Sequence, residues 1–469
     1  MIQQNELVDI FLREESKGDC WALNFGGISL WPLLRMCLYF AWRSKQTAMS
    51  EPADTGLTFN PDSLLSGEFR ITQEAGKKQV MLISRDDALN DKVDGKLFDK
   101  FISSIAILFS RFHDVAVVSY TPEKENRFDH TVDLSRHVDL SNNEFSLNIS
   151  REDLNIIESY ISYICDACHL SVTLETLLHA FGFCARGQSF WSKIFEESRP
   201  DIVITTCFYE PFLTGACVAA RERGIRFIDM QHGRVGTNHP VMSNWDFRKA
   251  QSDVGNFFPS DFWCWTEENV RQIQTTWRGT DDIPKTSVFG NPWQFVRSKK
   301  IIDEKSARIG KSSNRIVLVA LQPIPDSFPL FMIQALKKYP DLRVWVRPHP
   351  HQIGAVSEIE NAVREKGLRN FLVRSNTELY SEFEQIDLVI TAFSTVATEA
   401  CDFGLPVILT HPNAEAAFAG MIDNRKLFYC SSETESINAL QVCTSGKEVK
   451  FRRESIALPD FESMASCFD

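Results

Sequence analysis

The chain of 469 residues carries 50 Lys and Arg against 62 Asp and Glu, a formal net charge of −12. That balance excludes a broad nucleic-acid or anionic-membrane surface and leaves phosphate recognition to a local site. With 43 % hydrophobic and 24 % charged residues, the composition excludes disorder, and the length predicts two domains of roughly 200 residues each.

The first 75 residues read as a helical segment followed by a connector. Residues Ile28–Trp42 form the longest apolar stretch, 15 residues interrupted by Pro32 and Arg35, short of the ~20 that span a bilayer. A packed helix is expected there, with a membrane-surface helix as the alternative because Trp31, Tyr39, Arg43 and Lys45 suit an interface. Met1–Arg13 lacks the basic and apolar regions of a secretory signal, and the twelve cysteines show no framework spacing. Both features predict a reducing, cytoplasmic setting with cysteines used as small buried hydrophobes.

A polar connector over Ser50–Lys78 precedes a first lobe, residues 76–297. Its strands are expected at Val80–Ser84, Val115–Tyr120, Asp201–Thr206, Ile225–Met230 and Thr286–Phe289. Helices are expected at Phe98–Phe109, Glu152–Cys168 and Phe212–Arg223, the last stopped by Gly224, and Trp263–Trp277 reads as a strand end followed by a helix. A basic stretch, Arg297–Arg315, separates this from a second lobe, residues 298–469. There the pattern alternates cleanly: strands Ile316–Leu321, Leu342–Val346, Phe371–Arg374, Leu388–Thr391 and Val407–Leu409, with helices Pro329–Lys338, Val356–Lys366, Leu379–Glu384 and Thr395–Phe403 between them. The fold class is therefore α/β, two Rossmann-like lobes with parallel sheets and an interlobe cleft.

Candidate site residues fall at strand ends. Arg347 and His349 follow a strand, and Pro348 and Pro350 restrict the backbone around the imidazole; both side chains suit a phosphate oxygen. Ser394 and Thr395 open a helix where unpaired N–H groups and the helix dipole favour an anion, and Glu399 lies one turn on, placed for a ribose diol. In the first lobe Gln231, His232 and Gly233 end a strand. His232 is a candidate general base, and Gly233 allows close approach or a positive φ. Further acidic candidates are Asp86 and Asp87, Glu210 and Asp229; Asp229 is expected to point away from His232, three residues on in strand parity. Cys165-Asp166-Ala167-Cys168-His169 matches a haem-attachment pattern, but its helical, apolar setting predicts structural cysteines. No metal and no cofactor are expected.

These residues carry a family likeness. The chain resembles bacterial GT-B glycosyltransferases of capsule and lipopolysaccharide synthesis. His349-Pro350 and Ser394-Thr395 are similar to the nucleotide-binding motifs of sialyltransferases and Kdo transferases that use CMP-sugars. Gln231-His232-Gly233, preceded by the AxxxGI pattern of Ala220–Ile225, is similar to a feature of capsule-synthesis transferases including β-Kdo enzymes. The resemblance implies metal-independent transfer of Kdo or a related acidic sugar from CMP to a glycan or glycolipid acceptor, in the cytoplasm or at the inner membrane, with no nucleic-acid partner. The chain departs from the sialyltransferase pattern at the catalytic base, since its Asp94-Gly95 follows Val93. UDP-GlcNAc 2-epimerases and CDP-glycerol polymerases carry similar motifs, so a UDP-sugar transferase or epimerase is the alternative reading, and a non-catalytic scaffold of a glycan assembly complex the second.

Overall fold

A computed structural model describes residues 3–25, 28–46, 77–85, 91–93, 96–110, 112–120, 131–134, 150–233, 235, 239–250, 254–279, 284–293, 315–375, 377, 379–383, 385–418, 422 and 427–444. The described residues form two compact units, the first running to Pro292 and the second beginning at Trp293. The boundary expected at 297/298, the connector over residues 51–76, and Asp86, Asp87, Asp94 and Gly95 lie outside the described residues.

The first unit is built on a parallel seven-stranded sheet. Its strands are β1 (Gln79–Ser84), β2 (Asp114–Ser119), β3 (Thr131–Asp133), β4 (Ile202–Thr205), β5 (Arg226–Met230), β6 (Asp261–Cys264) and β7 (Lys285–Val288), in the order β7-β6-β5-β4-β1-β2-β3. The second unit carries a parallel six-stranded sheet of β8 (Ile316–Ala320), β9 (Arg343–Arg347), β10 (Phe371–Val373), β11 (Leu388–Thr391), β12 (Val407–Leu409) and β13 (Leu427–Tyr429), in the order β10-β9-β8-β11-β12-β13. Both orders reverse direction beside their first strand. In a doubly wound sheet the crevice at that reversal, outside the carboxyl ends of the strands, is where ligands bind. The near-continuous apolar runs of β1, β4, β8 and β11 follow from burial on both faces.

The helices of the first unit are α1 (Gln4–Lys17), α2 (Asp19–Ala22), α3 (Trp31–Gln46), α4 (Ile102–Phe109), α5 (Arg151–Cys168), α6 (Leu174–Ser198), α7 (Pro211–Glu222) and α8 (Glu267–Gln274). Those of the second are α9 (Leu330–Lys337), α10 (Val356–Glu365), α11 (Leu379–Phe383), α12 (Val396–Asp402), α13 (Asn413–Ala417) and α14 (Glu433–Thr444). The sequence pattern marks most of these but omits α6, the longest, because Gly182 and Gly187 interrupt its period. Gly187 is required by packing: a Cβ there would lie 2.4 Å from the Phe212 carbonyl oxygen of α7. Gly215 answers it from α7, where a Cβ would lie 2.3 Å from the Cys184 carbonyl oxygen.

The N-terminal segment is part of the first unit's core, not an appendage. Phe11, Trp21, Trp31, Leu34 and Leu38 are buried in the same cluster as Met81, Val203, Trp245 and Phe258. The apolar face of α3 is consumed by this packing, which removes the basis for a membrane-surface helix. Among the described residues no helix is long and apolar enough to cross a membrane. Cys165 and Cys168 are likewise buried, and His169 caps α5 with φ 52°, so the haem-like pattern is a helix end.

Arg35, which breaks the apolar stretch, is fully buried and paired with fully buried Glu15. Glu15 also accepts from Trp31 Nε1 at 2.8 Å and from the Asp246 backbone N–H at 2.8 Å. The Arg35 guanidinium donates to the carbonyl oxygens of Pro240 (2.8 Å) and Asn244 (2.7 Å) and lies 3.7 Å from the Trp245 ring centroid. Burial raises the Glu15 carboxyl and lowers the Arg35 guanidinium, while their mutual attraction and these hydrogen bonds oppose both shifts. Replacing Arg35 by Met should leave the Glu15 charge without its counter-ion and three carbonyls, those of Pro240, Ser243 and Asn244, without their donor, and destabilise the first unit by about 3–5 kcal/mol. Urea unfolding followed by tryptophan fluorescence reads this directly, and a loss below about 1 kcal/mol would deny the pair its anchoring role.

Candidate functional site

The carboxyl edge of the first sheet brings His232 together with residues that the sequence reading passed over. After β4 the chain makes a tight turn through Cys207, whose φ of 62° is left-handed for a non-glycine residue. The Phe208 N–H donates to Asp229 Oδ1 at 3.0 Å, and the Glu210 N–H to the Cys207 carbonyl at 2.9 Å. Beyond β5, His232 folds back so that Nδ1 lies 3.4 Å from the Met230 carbonyl oxygen. A carbonyl only accepts, so the proton sits on Nδ1 and the lone pair on Nε2. Nε2 faces Cys207 Sγ at 3.0 Å and Tyr209 Oη at 3.3 Å.

Electrostatics assign the protons. Burial pushes the Asp229 carboxyl up to about 8, with nearby His232 pulling it down. Burial also lowers His232, with Asp229 opposing, so at neutral pH the imidazole is neutral and the carboxyl keeps its proton. A protonated Asp229 cannot accept a proton, whereas the neutral His232 keeps a lone pair on Nε2. Strand parity does not relate the directions of Asp229 and His232, because His232 lies past the end of β5, where the chain turns back. Asp229 Oδ2 is buried and makes no hydrogen bond.

The other first-unit candidates take structural positions. Glu210 caps α7, accepting from the Leu213 N–H at 3.1 Å and from Tyr120 Oη at 3.3 Å. Gln231 is buried, and its Oε1 accepts from the Trp265 N–H at 2.8 Å while Nε2 donates to the Gly233 carbonyl at 2.9 Å, tying the end of β5 to that of β6. Gly233 has no positive φ, and a Cβ there would meet nothing within 4 Å. Of the two uses foreseen for that glycine, the positive φ is absent, and no described atom stands within 4 Å of where a Cβ would lie. Asp86 lies outside the described residues.

In the second unit, Arg347 and His349 follow β9, and Ser394 and Thr395 follow β11, on the two sides of β8. Gln322, just beyond β8, accepts from the Phe393 N–H at 2.7 Å and ties the reversal point together. Arg347 donates to the fully buried Glu382 at 2.9 Å and to the Thr377 carbonyl at 2.6 Å. Arg374 donates to the same carboxylate at 2.9 Å. One carboxylate thus holds two guanidinium groups, and Arg347 keeps an ion pair within the fold. His349 starts the turn that continues as the 3-10 helix Pro350–Ala355, and its N–H donates to Gln352 Oε1 at 3.2 Å.

The helix start differs from expectation in one detail. Thr395, not Ser394, takes the cap position, without a side-chain cap, and Ser394 Oγ accepts from the Val396 N–H at 3.3 Å. Glu399 is buried and receives the phenol hydroxyl of Tyr380, which Trp293 meets edge-on at 5.5 Å. The carboxylate expected at a ribose diol therefore lies within the fold, because its helical face turns toward α11. Sequence spacing placed Glu399 on a face but gave no sign of Tyr380.

The raised Asp229 carboxyl has a measurable consequence. The folded state holds this proton more tightly than the unfolded chain, whose aspartate titrates near 3.8. The stability it contributes is full below that pH, declines above it, and is lost once pH has risen through about 8. Asp229→Asn should flatten that decline, so its melting temperature relative to the parent should rise between pH 5 and pH 8, by about 2–4 °C per kcal/mol gained. Calorimetry at pH 5, 6.5 and 8 checks this; a constant offset would mean an ordinary carboxylate.

No protein-family model and no curated protein matches the sequence. Among solved structures, the chain is similar to UDP-GlcNAc 2-epimerase from Neisseria meningitidis, bound to UDP-GlcNAc, with 12 % identity over 84 % of this chain and 99 % of that one and a TM-score of 0.49. MurG of Acinetobacter baumannii gives 11 % identity over 83 % and 99 %, TM-score 0.45. A glycosyltransferase from Rickettsia africae gives 12 % over 84 % and 93 %, TM-score 0.43. Identities this low leave every residue role to this chain's own geometry.

Proposed function

We propose that the chain is a nucleotide-sugar-dependent glycosyltransferase, with a CMP-linked acidic sugar of the Kdo class as donor and a surface glycan or glycolipid as acceptor. The observation that carries the reading is the neutral His232 at the carboxyl edge of β5, with its proton on Nδ1 and its Nε2 lone pair set between Cys207 Sγ and Tyr209 Oη. A base of that kind accepts the proton of an acceptor hydroxyl as it attacks the anomeric carbon. Donor recognition is assigned to the second unit, where His349-Pro350 and Ser394-Thr395 flank the carboxyl end of β8. His349 supplies the charge-stabilising contact to the leaving nucleotide, since Arg347 is engaged by Glu382. The role needs no metal for activation of the hydroxyl.

The test is a thermal-shift panel with CMP, UDP, GDP and CDP. A ligand at about 100 times its Kd stabilises by about 2.7 kcal/mol. A CMP-selective shift, lost in His349→Ala and Ser394→Ala, is the expected result. A UDP-selective shift with conversion of the donor in the absence of acceptor would instead make this an epimerase, and no shift with any nucleotide would favour the scaffold. With a donor in hand, His232→Ala should lower turnover by about 10²–10⁴-fold while leaving the nucleotide shift in place. Unchanged turnover would remove His232 from the reaction.

A further inference from the structure

The edge that carries His232 also carries a thiol that glycosyl transfer does not use. Cys207 is half-buried, with Sγ 3.0 Å from His232 Nε2 and 3.6 Å from Tyr209 Oη. The Nδ1 contact to the Met230 carbonyl makes Nε2 an acceptor, so the Cys207 S–H points its proton at a lone pair. Behind the pair stands Asp229, wholly buried, with Oδ2 making no hydrogen bond. The left-handed Cys207 backbone is held on both sides, by Phe208 N–H on Asp229 and Glu210 N–H on the Cys207 carbonyl, which fixes the turn from which the sulfur meets the imidazole. A thiol at a strand-to-helix turn and a base at hydrogen-bond distance, itself oriented by the Met230 carbonyl, together form the arrangement of an activated nucleophile.

Nine of the other ten described cysteines lack this setting in two ways; the tenth, Cys401, is partly exposed. Cys20, Cys165, Cys168, Cys184, Cys217, Cys264 and Cys430 are buried. Burial also pushes the partly exposed Cys37 and Cys443 up to about 12, which keeps them protonated and unreactive.

We propose that Cys207 is a modification site, a thiol activated by His232 that hydroperoxides oxidise to the sulfenic acid. His232 Nε2 takes the S–H proton, and the thiolate sulfur attacks the terminal peroxide oxygen. The S–O bond forms as the O–O bond breaks. The sulfur gives up two electrons, the hydroperoxide is reduced to the corresponding alcohol or water, and the proton held by His232 passes to the departing oxygen. The added oxygen then stands against Nε2 and blocks it as a base. The site thereby gains an off state set by peroxide, reversible by thiol reduction. This chemistry does not depend on the identity of the donor sugar.

The experiment treats the full chain with substoichiometric hydrogen peroxide in the presence of dimedone, which traps sulfenic acids, and maps adducts by peptide mass spectrometry. Adduct should accumulate first on the peptide containing Cys207, vanish in Cys207→Ser, and form at least tenfold more slowly in His232→Gln. A His232→Gln rate equal to the parent's, or adduct spread evenly over the cysteines, would overturn the proposal. Should His232→Gln fail to fold, the parent protein alone decides. Unfolding in urea should slow the Cys207 adduct, because an unfolded thiol has only its ordinary acidity, while adducts at the buried cysteines should rise. A Cys207 that reacts faster unfolded than folded would refute the activation.

Discussion

The buried pair of Glu15 and Arg35 is the constraint on which the first unit's active edge rests. One charge comes from α1 and the other from α3, and between them they bind backbone groups of Pro240, Asn244 and Asp246. That segment lies directly downstream of His232 and is closed further by Trp277, whose indole N–H donates to the Met242 carbonyl at 3.0 Å. His239 is seated in the same segment, receiving the Val241 and Met242 N–H groups on Nδ1, with its ring 5.4 Å from that of Tyr39 on α3. Two expensive charges in the interior therefore serve position: they fix the return path of the chain around the imidazole. An apolar pair of equal volume would pack but would leave those carbonyls and the Asp246 N–H without partners.

The two sheets share a strand order and differ in how their carboxyl edges treat charge. At the first edge, burial drives a carboxyl and an imidazole toward neutrality, so that proton-accepting power is concentrated on one nitrogen. At the second, charges are paired rather than suppressed: Arg347 and Arg374 converge on the one carboxylate of Glu382, and Glu399 accepts from Tyr380.

Much of the architecture was legible because periodicity encodes it. The strands β4, β5, β8, β9, β11 and β12 announce themselves as apolar runs bounded by turns, and their alternation with helices implies parallel sheets. The helix α6 was not legible, since its glycines lower helix propensity locally and are explained only by the approach of α7. At the site, His232 was visible as a histidine at a strand end. Its partners were not: Cys207 and Tyr209 lie some two dozen residues earlier and meet it only because β4 and β5 are neighbours. The direction of Asp229 relative to His232 was not legible, because strand parity does not extend past the point where the strand stops. Glu399 and Arg347 were read as ligands because their tertiary partners, Tyr380 and Glu382, leave no local trace in spacing.

The long reach of the Arg35 contacts also shapes how the chain comes to be folded. Arg35 and its Pro240 acceptor are 205 residues apart, and Glu15 and the Asp246 N–H are 231 apart. At a synthesis rate of roughly 5–20 residues per second, α3 emerges on the order of 10–40 s before the residues that will cover Arg35. During that interval a helix bearing Trp31, Leu34, Leu38 and an unpaired Arg35 has no core to enter. The helices α1 and α3 are thus made long before their packing is completed, and the nascent chain must keep them from competing partners until β5 and the segment beyond it have left the ribosome.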